Sequence, residues 1–237
     1  MCRDGMEAGI RDRVESIRKN IAAAALRSGR RPADVRLMAV TKTVADHRIR
    51  EAVEAGVDII GENYVQEARR KREQAGRSVP WHLIGHLQSN KAKDAVRLFE
   101  MIHSLDRMSL AVELDKRSRM CGCVTPVLIE VNVSGEETKR GVPLEEAVPL
   151  VREVSALEHL SIQGLMTMPP WFDDPEEARP FFAALRGLRD RIIGEGIARV
   201  EMRELSMGMS QDYTVAVEEG ATIVRIGRLI FGERPGR

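Results

Sequence analysis

The segment Val35-Arg36-Leu37-Met38-Ala39-Val40, running into Thr41-Lys42-Thr43, decides between the two α/β architectures open to this chain. It is a short apolar run with a β-branched end, and it reads as a strand. Asp46, read as an N-cap, then opens a helix with Ile49, Ala52 and Val53 on one face, closed by Gly56. A doubly wound open sheet usually carries a Gly-rich fingerprint directly after its first strand. Here a lysine between two threonines stands in that place.

The alternation continues to both ends of the chain. Upstream, Ile10, Val14, Ile17 and Ile21 recur at helical spacing, and Gly29 and Pro32 supply the stop. Downstream, strands are expected at 57–60, 82–84, 101–104, 125–133, 161–166, 203–206 and 222–226. Helices fall between them at 64–71, from about Ser89, from near Asp106, from Pro143 as first helical residue, and after Asp174-Pro175-Glu176-Glu177. Strands separated by helices pair in parallel, and parallel strands buried on both faces look like these short apolar runs. Eight such units in 237 residues predict an α/β fold, a (β/α)8 TIM barrel, as a single domain over residues 1–237. The first 31 residues contribute an extra N-terminal helix packed on it.

Composition removes several classes of function. Lys and Arg total 37 against 36 Asp and Glu, so no global field draws the chain to nucleic acid or an acidic surface. Arg27, Arg30 and Arg31 form a small basic cluster without interleaved aromatics, and no nucleic-acid site is assigned. Apolar runs such as 21–26 fall far short of the roughly 18 residues needed to span a bilayer. The mixed charge of residues 1–7 is wrong for a secretory signal, which makes a cytoplasmic protein the expectation. Cys2, Cys121 and Cys123 form an odd set with neither zinc-ribbon nor thioredoxin spacing, and are read as reduced thiols. His82 and His86 are four apart, but on strand and turn rather than helix, so no metal site is assigned. His47 and His159 are read as helix-surface residues, and His103 as alternating within strand four.

In such a barrel the residues just past each strand line one mouth, where reactive groups gather. Lys42 is the one lysine that directly follows an apolar strand. Partly desolvated there, it is a candidate Schiff-base amine; a strand-end lysine in a surface ion pair is the alternative. Ser206-Met207-Gly208-Met209-Ser210 leads out of strand seven and Arg225-Ile226-Gly227-Arg228 ends strand eight, and barrels commonly bind phosphate between the loops after these two strands. Glycine lets backbone N–H groups approach an anion, and Ser210 is expected to cap a helix beginning at Gln211. An amine and an anion cradle on one mouth describe a receptor for a phosphorylated aldehyde. Pyridoxal 5′-phosphate leads, with the sugar phosphates of Schiff-base aldolases as the alternative. Arg225 near the ring nitrogen of that cofactor would oppose pyridinium formation and weaken the electron sink that carbanion chemistry needs.

Six ordered segments carry a resemblance: AVTKT (39–43), GENYVQE (61–67), WHLIGHLQSNK (81–91), GLMTM (164–168), SMGMSQDY (206–213) and VRIGRLIFG (224–232). Together they resemble the YggS/PROSC family of pyridoxal phosphate homeostasis proteins. The resemblance implies a barrel like the N-terminal domain of alanine racemase, with the cofactor carried on Lys42. It maps phosphate contacts onto Ser210 and the Gly227–Arg228 turn, and a ring-nitrogen arginine onto Arg225. Asn63, His82 and Ser206 fall in the matching segments that line the cofactor. It further implies a non-catalytic carrier, monomer or weak dimer, that buffers pyridoxal phosphate or delivers it, with apo-enzymes that use the cofactor as candidate recipients. Family members often have Thr or Ser after the glycine of the last motif; Arg228 stands there, which keeps a backbone N–H and removes a hydroxyl. The chain ends at Arg237, where alanine racemase continues into a second domain supplying a catalytic tyrosine. A cofactor-dependent racemase or lyase acting on amino acids is the competing function.

Overall fold

The computed structural model describes residues 9–75, 78–136 and 138–233. Cys2 and the charge pattern of residues 1–7 lie outside the described residues. Eight parallel strands form the ring: β1 (Arg36–Val40), β2 (Ile59–Glu62), β3 (Trp81–Leu83), β4 (Met101–Leu105), β5 (Thr125–Asn132), β6 (Leu160–Met166), β7 (Val200–Ser206) and β8 (Ile223–Ile226). Each pairs with its successor, and β8 closes on β1 through registers such as Met38 with Arg225. The sheet therefore has no open edge in the ring, and the (β/α)8 expectation holds.

Helix α1 (Ile10–Arg27) precedes the ring; α2 (Asp46–Glu54), α3 (Val65–Ala75), α4 (Ala92–Leu98), α5 (Met108–Cys121), α6 (Ala147–Ser155), α7 (Arg179–Gly194), α8 (Tyr213–Glu218) and α9 (Arg228–Phe231) follow successive strands. The helices form because each repeats an apolar stripe at helical spacing that the outer face of the barrel buries. On α1 the stripe is Ile10, Val14, Ile17, Ile21, Ala24 and Ala25; on α7 it includes Phe182, Leu185, Leu188 and Ile192. Asn20 donates to the Tyr213 hydroxyl at 2.9 Å and Arg30 to the Val217 carbonyl at 2.8 Å, fastening α1 and the turn after it to α8. Strands β4 and β8 are buried at every position, as both-face burial in a barrel requires. Among the described residues no helix is long and apolar enough to cross a membrane.

Several local expectations shift. Strand two lies two residues later than expected, which draws Glu62 into the barrel wall. Asp46 is the first residue of α2, with Ala45 at the N-cap; its carboxylate instead accepts from Arg70 at 2.9 Å. Pro143 belongs to a two-residue strand, Val142–Pro143, because Val142 buries its side chain and pairs with Val131; α6 starts at Ala147. His159 sits in the turn before β6, where its N–H donates to Asp115 at 2.8 Å. Asp174 does cap, accepting from the Glu176 N–H at 3.0 Å, although the turn it opens is 3₁₀ (Pro175–Ala178) before α7.

Candidate functional site

At the C-terminal mouth of the ring a cavity of about 230 Å³ is lined by Val40, Lys42, Asn63, Ile84, Met168, Phe172, Ser210, Arg225, Gly227 and Arg228, among others. Six of the eight residues singled out from sequence thus meet there: Lys42, Asn63, Ser210, Arg225, Gly227 and Arg228. Lys42 is half-buried at the end of β1, and Arg228 is exposed at the start of α9.

Asn63 is seated by Gly85, whose added Cβ would lie 2.3 Å from the Asn63 carbonyl oxygen, so only glycine admits this approach. The Asn63 side-chain oxygen is buried and accepts no hydrogen bond from the described residues, which leaves it for a ligand. On the other side, the loop after β7 is held by backbone and carboxylate contacts. Gly208 takes φ +89° against Ala216, the Arg225 N–H donates to its carbonyl at 2.9 Å, and the Met209 N–H donates to Asp212 at 2.6 Å. This last bond forms the turn in place of the expected Ser210 cap, so α8 starts at Tyr213 rather than Gln211. Burial pushes the Asp212 carboxyl upward, while the Met209 N–H and the Arg225 charge pull it back. Gln211 donates to the Phe172 carbonyl at 2.5 Å and ties this loop to the apolar lip at Met168, Trp171 and Phe172. The amides of Arg228 and Leu229 lie in the first turn of α9 and have no acceptor within the helix.

His82 and Ser206 do not line the cavity; they belong to a polar chain inside the barrel that supports its floor. Arg225, 3% exposed, donates to the Ser206 carbonyl at 2.6 Å, to the Ser206 hydroxyl at 2.8 Å and to the Thr167 carbonyl at 2.8 Å. The Ser206 hydroxyl meets His103 Nδ1 at 3.0 Å, and His103 Nε2 meets His82 Nδ1 at 2.9 Å. Burial holds both rings neutral: His82 is pushed down to about 3 and His103 well below the usual histidine range. Burial also lowers Arg225 to about 10, which leaves it charged at neutral pH with uncharged hydrogen-bond partners. Apolar side chains fill other parts of the buried interior, Met38, Ile59 and Ile223 in one cluster and Met101, Leu128 and Met166 in another.

His103, read from sequence only as alternating within strand four, is the member of this chain that sequence reading did not assign to the site. The signal available was a polar ring in a strand buried at every position, which must find a partner across the barrel. An amine, one orphaned acceptor and glycine-bearing loops around one cavity suit a small molecule with an electrophilic carbon at one end and an anion at the other. Among the described residues no group of three or more His, Cys, Asp or Glu is placed to hold a metal.

Comparison with known proteins agrees with this geometry. Residues 13–235 match the family model described as alanine racemase, N-terminal domain. A protein of Aquifex aeolicus named pyridoxal phosphate homeostasis protein is 46% identical, over 94% of this chain and 97% of its own. A crystal structure of an unknown protein from Bifidobacterium adolescentis superposes with a TM-score of 0.90 at 39% identity, covering 94% of each chain. PipY of Synechococcus elongatus, solved with pyridoxal phosphate bound, gives 0.81 at 35% identity, covering 94% of this chain and all of that one. With its lysine, its loops and its buried arginine on a closed barrel, the chain belongs to the family of pyridoxal phosphate homeostasis proteins, built on the alanine racemase N-terminal domain.

Proposed function

We propose that this chain binds pyridoxal phosphate on Lys42 and buffers it, or delivers it to apo-enzymes that require it, acting in the cytoplasm as a monomer or weak dimer. The observation that carries the reading is that Lys42 and the Ser210 and Gly227–Arg228 loops open onto one cavity of about 230 Å³. When bound, the cofactor supplies an aldehyde that condenses with an amine, releasing water, and a phosphate that needs an anion pocket. Lys42 offers the amine. Ser210 and the amides at Gly227–Arg228 offer donors to the phosphate, and the exposed Arg228 adds positive charge beside them. Asn63 offers its buried oxygen as an acceptor. Arg225 presents a fixed cation, held by neutral partners, that disfavours a proton on a facing ring nitrogen. That electrostatic setting suits storage better than carbanion chemistry. Cys121 and Cys123 are free thiols, as a reducing compartment leaves them.

Adding pyridoxal phosphate to the purified protein should produce the visible absorbance of a protein-bound Schiff base, absent from Lys42→Ala. The loaded protein should then activate an apo-enzyme. Turnover of an amino-acid panel well above that of free pyridoxal phosphate, abolished by Lys42→Ala, would support the racemase or lyase reading instead.

A further inference from the structure

We infer that Glu67 and Lys71 are positioning residues that set the Lys42–Thr43 turn and, through it, the reach of the Lys42 amine into the cavity. This rests on the assignment of Lys42 as the point of covalent attachment.

Lys71, on α3, has no solvent exposure. Its ammonium pairs with Glu62 at 2.8 Å and Glu67 at 2.7 Å, and it also donates to the Thr41 carbonyl. The same Glu62 oxygen accepts the Thr41 hydroxyl at 2.6 Å, and the same Glu67 oxygen accepts the Thr43 N–H at 2.7 Å. Both neighbours of Lys42 in the chain are therefore tied to one buried cluster. Thr43 sits at φ +63°, a left-handed conformation that a β-branched residue adopts only where its surroundings impose it. Its hydroxyl donates back to the Lys42 carbonyl at 2.6 Å, completing the turn. A buried ion pair is a poor way to gain stability, since packed apolar side chains of similar volume often do as well or better. What the cluster supplies is direction: its hydrogen bonds converge on the turn that carries the amine, and an ionised acceptor makes the bond to the Thr43 amide a strong one.

Glu67 is 21% exposed, so its variants avoid leaving a deeply buried gap. Two ligands separate attachment from occupancy: pyridoxal phosphate, and pyridoxine 5′-phosphate, which has an alcohol in place of the aldehyde and cannot bond to Lys42. Glu67→Ala should raise the Kd of pyridoxal phosphate about ten-fold, the equivalent of about 1.4 kcal/mol, while leaving that of pyridoxine 5′-phosphate within about two-fold. Glu67→Gln keeps an acceptor for the Thr43 N–H and should restore most of the loss. In the ligand-free protein, amide exchange of a peptide spanning residues 41–45 should quicken in Glu67→Ala. Equal shifts for both ligands, or no shift for either, would overturn the positioning role. A wild-type protein that binds both ligands alike, with Lys42→Ala changing neither, would remove the Lys42 assignment itself. Lys71→Met should move the same two constants in the same sense if it folds; the Glu67 pair decides the matter if it does not.

Discussion

Glu130 and His82 make opposite demands on the acid stability of this barrel, and Glu130→Gln separates them. Glu130 lies on β5, 4% exposed, and its Oε2 accepts no hydrogen bond from the described residues. Burial, helped by the nearby Asp106 charge, raises its carboxyl to about 7 against the restraint of Arg225 and Arg140. Between the unfolded value of 4.5 and 7 the folded chain holds a proton that the unfolded chain does not, so this group adds stability as pH falls through that window. His82 acts in the other sense. Its folded value of about 3 lies below the unfolded 6.5, so its contribution is complete above 6.5 and is lost as pH falls towards 3. His103 adds to the same loss. From pH 7 to pH 5, linkage gives a loss of about 2 kcal/mol from His82 and a gain of about 2 kcal/mol from Glu130. Glu130→Gln deletes the gain alone, so on this acidification the variant should lose about 2 kcal/mol more than wild type. At pH 8, where wild-type Glu130 must ionise in a buried site, the variant should be about 3 kcal/mol the more stable. Urea unfolding of the ligand-free protein at pH 5, 7 and 8 reads both differences. The same pH dependence in the two proteins would refute the reasoning.

Three further outcomes follow from the site. Arg225→Lys replaces a fork with three bonds by a point charge that cannot meet Ser206 and Thr167 together; urea unfolding should show a loss of about 1–3 kcal/mol, and an unchanged midpoint would contradict the geometry. Gly85→Ala places a methyl group 2.3 Å from the Asn63 carbonyl oxygen, so it should cost about 1–3 kcal/mol and weaken pyridoxal phosphate binding, both measurable on one preparation. Trp171, 65% exposed on the cavity lip, should report ligand entry by fluorescence quenching; Trp81 is buried, and Trp171→Phe should abolish most of the signal. Quenching that survives in Trp171→Phe would place the ligand elsewhere.

The ring was legible because parallel strands buried on both faces leave compact apolar runs, and because each helix repeats its stripe, as α1 does from Ile10 to Ala25. Boundaries were less so, since a carboxylate beside an expected helix start can serve another partner: Asp46 answers Arg70 across the fold, and Asp212 closes the turn at Met209. Residues just past the strand ends could be named from sequence alone, and of these Lys42, Asn63, Ser210, Gly227 and Arg228 meet at the cavity. What lay beneath them could not. The chain from Arg225 through Ser206 and His103 to His82 joins four strands, and no local pattern announces contacts across more than 100 residues. Nor does any local pattern show that Lys71, at the end of the expected 64–71 helix, is buried between Glu62 and Glu67.

The proposed function stands or falls with the amine of Lys42 meeting the cofactor in this cavity. Borohydride reduction of the protein loaded with pyridoxal phosphate, followed by peptide mass analysis, addresses it directly. The phosphopyridoxyl mass should fall on the peptide containing Lys42, with none on that containing the buried Lys71. Label confined to any other lysine would contradict it.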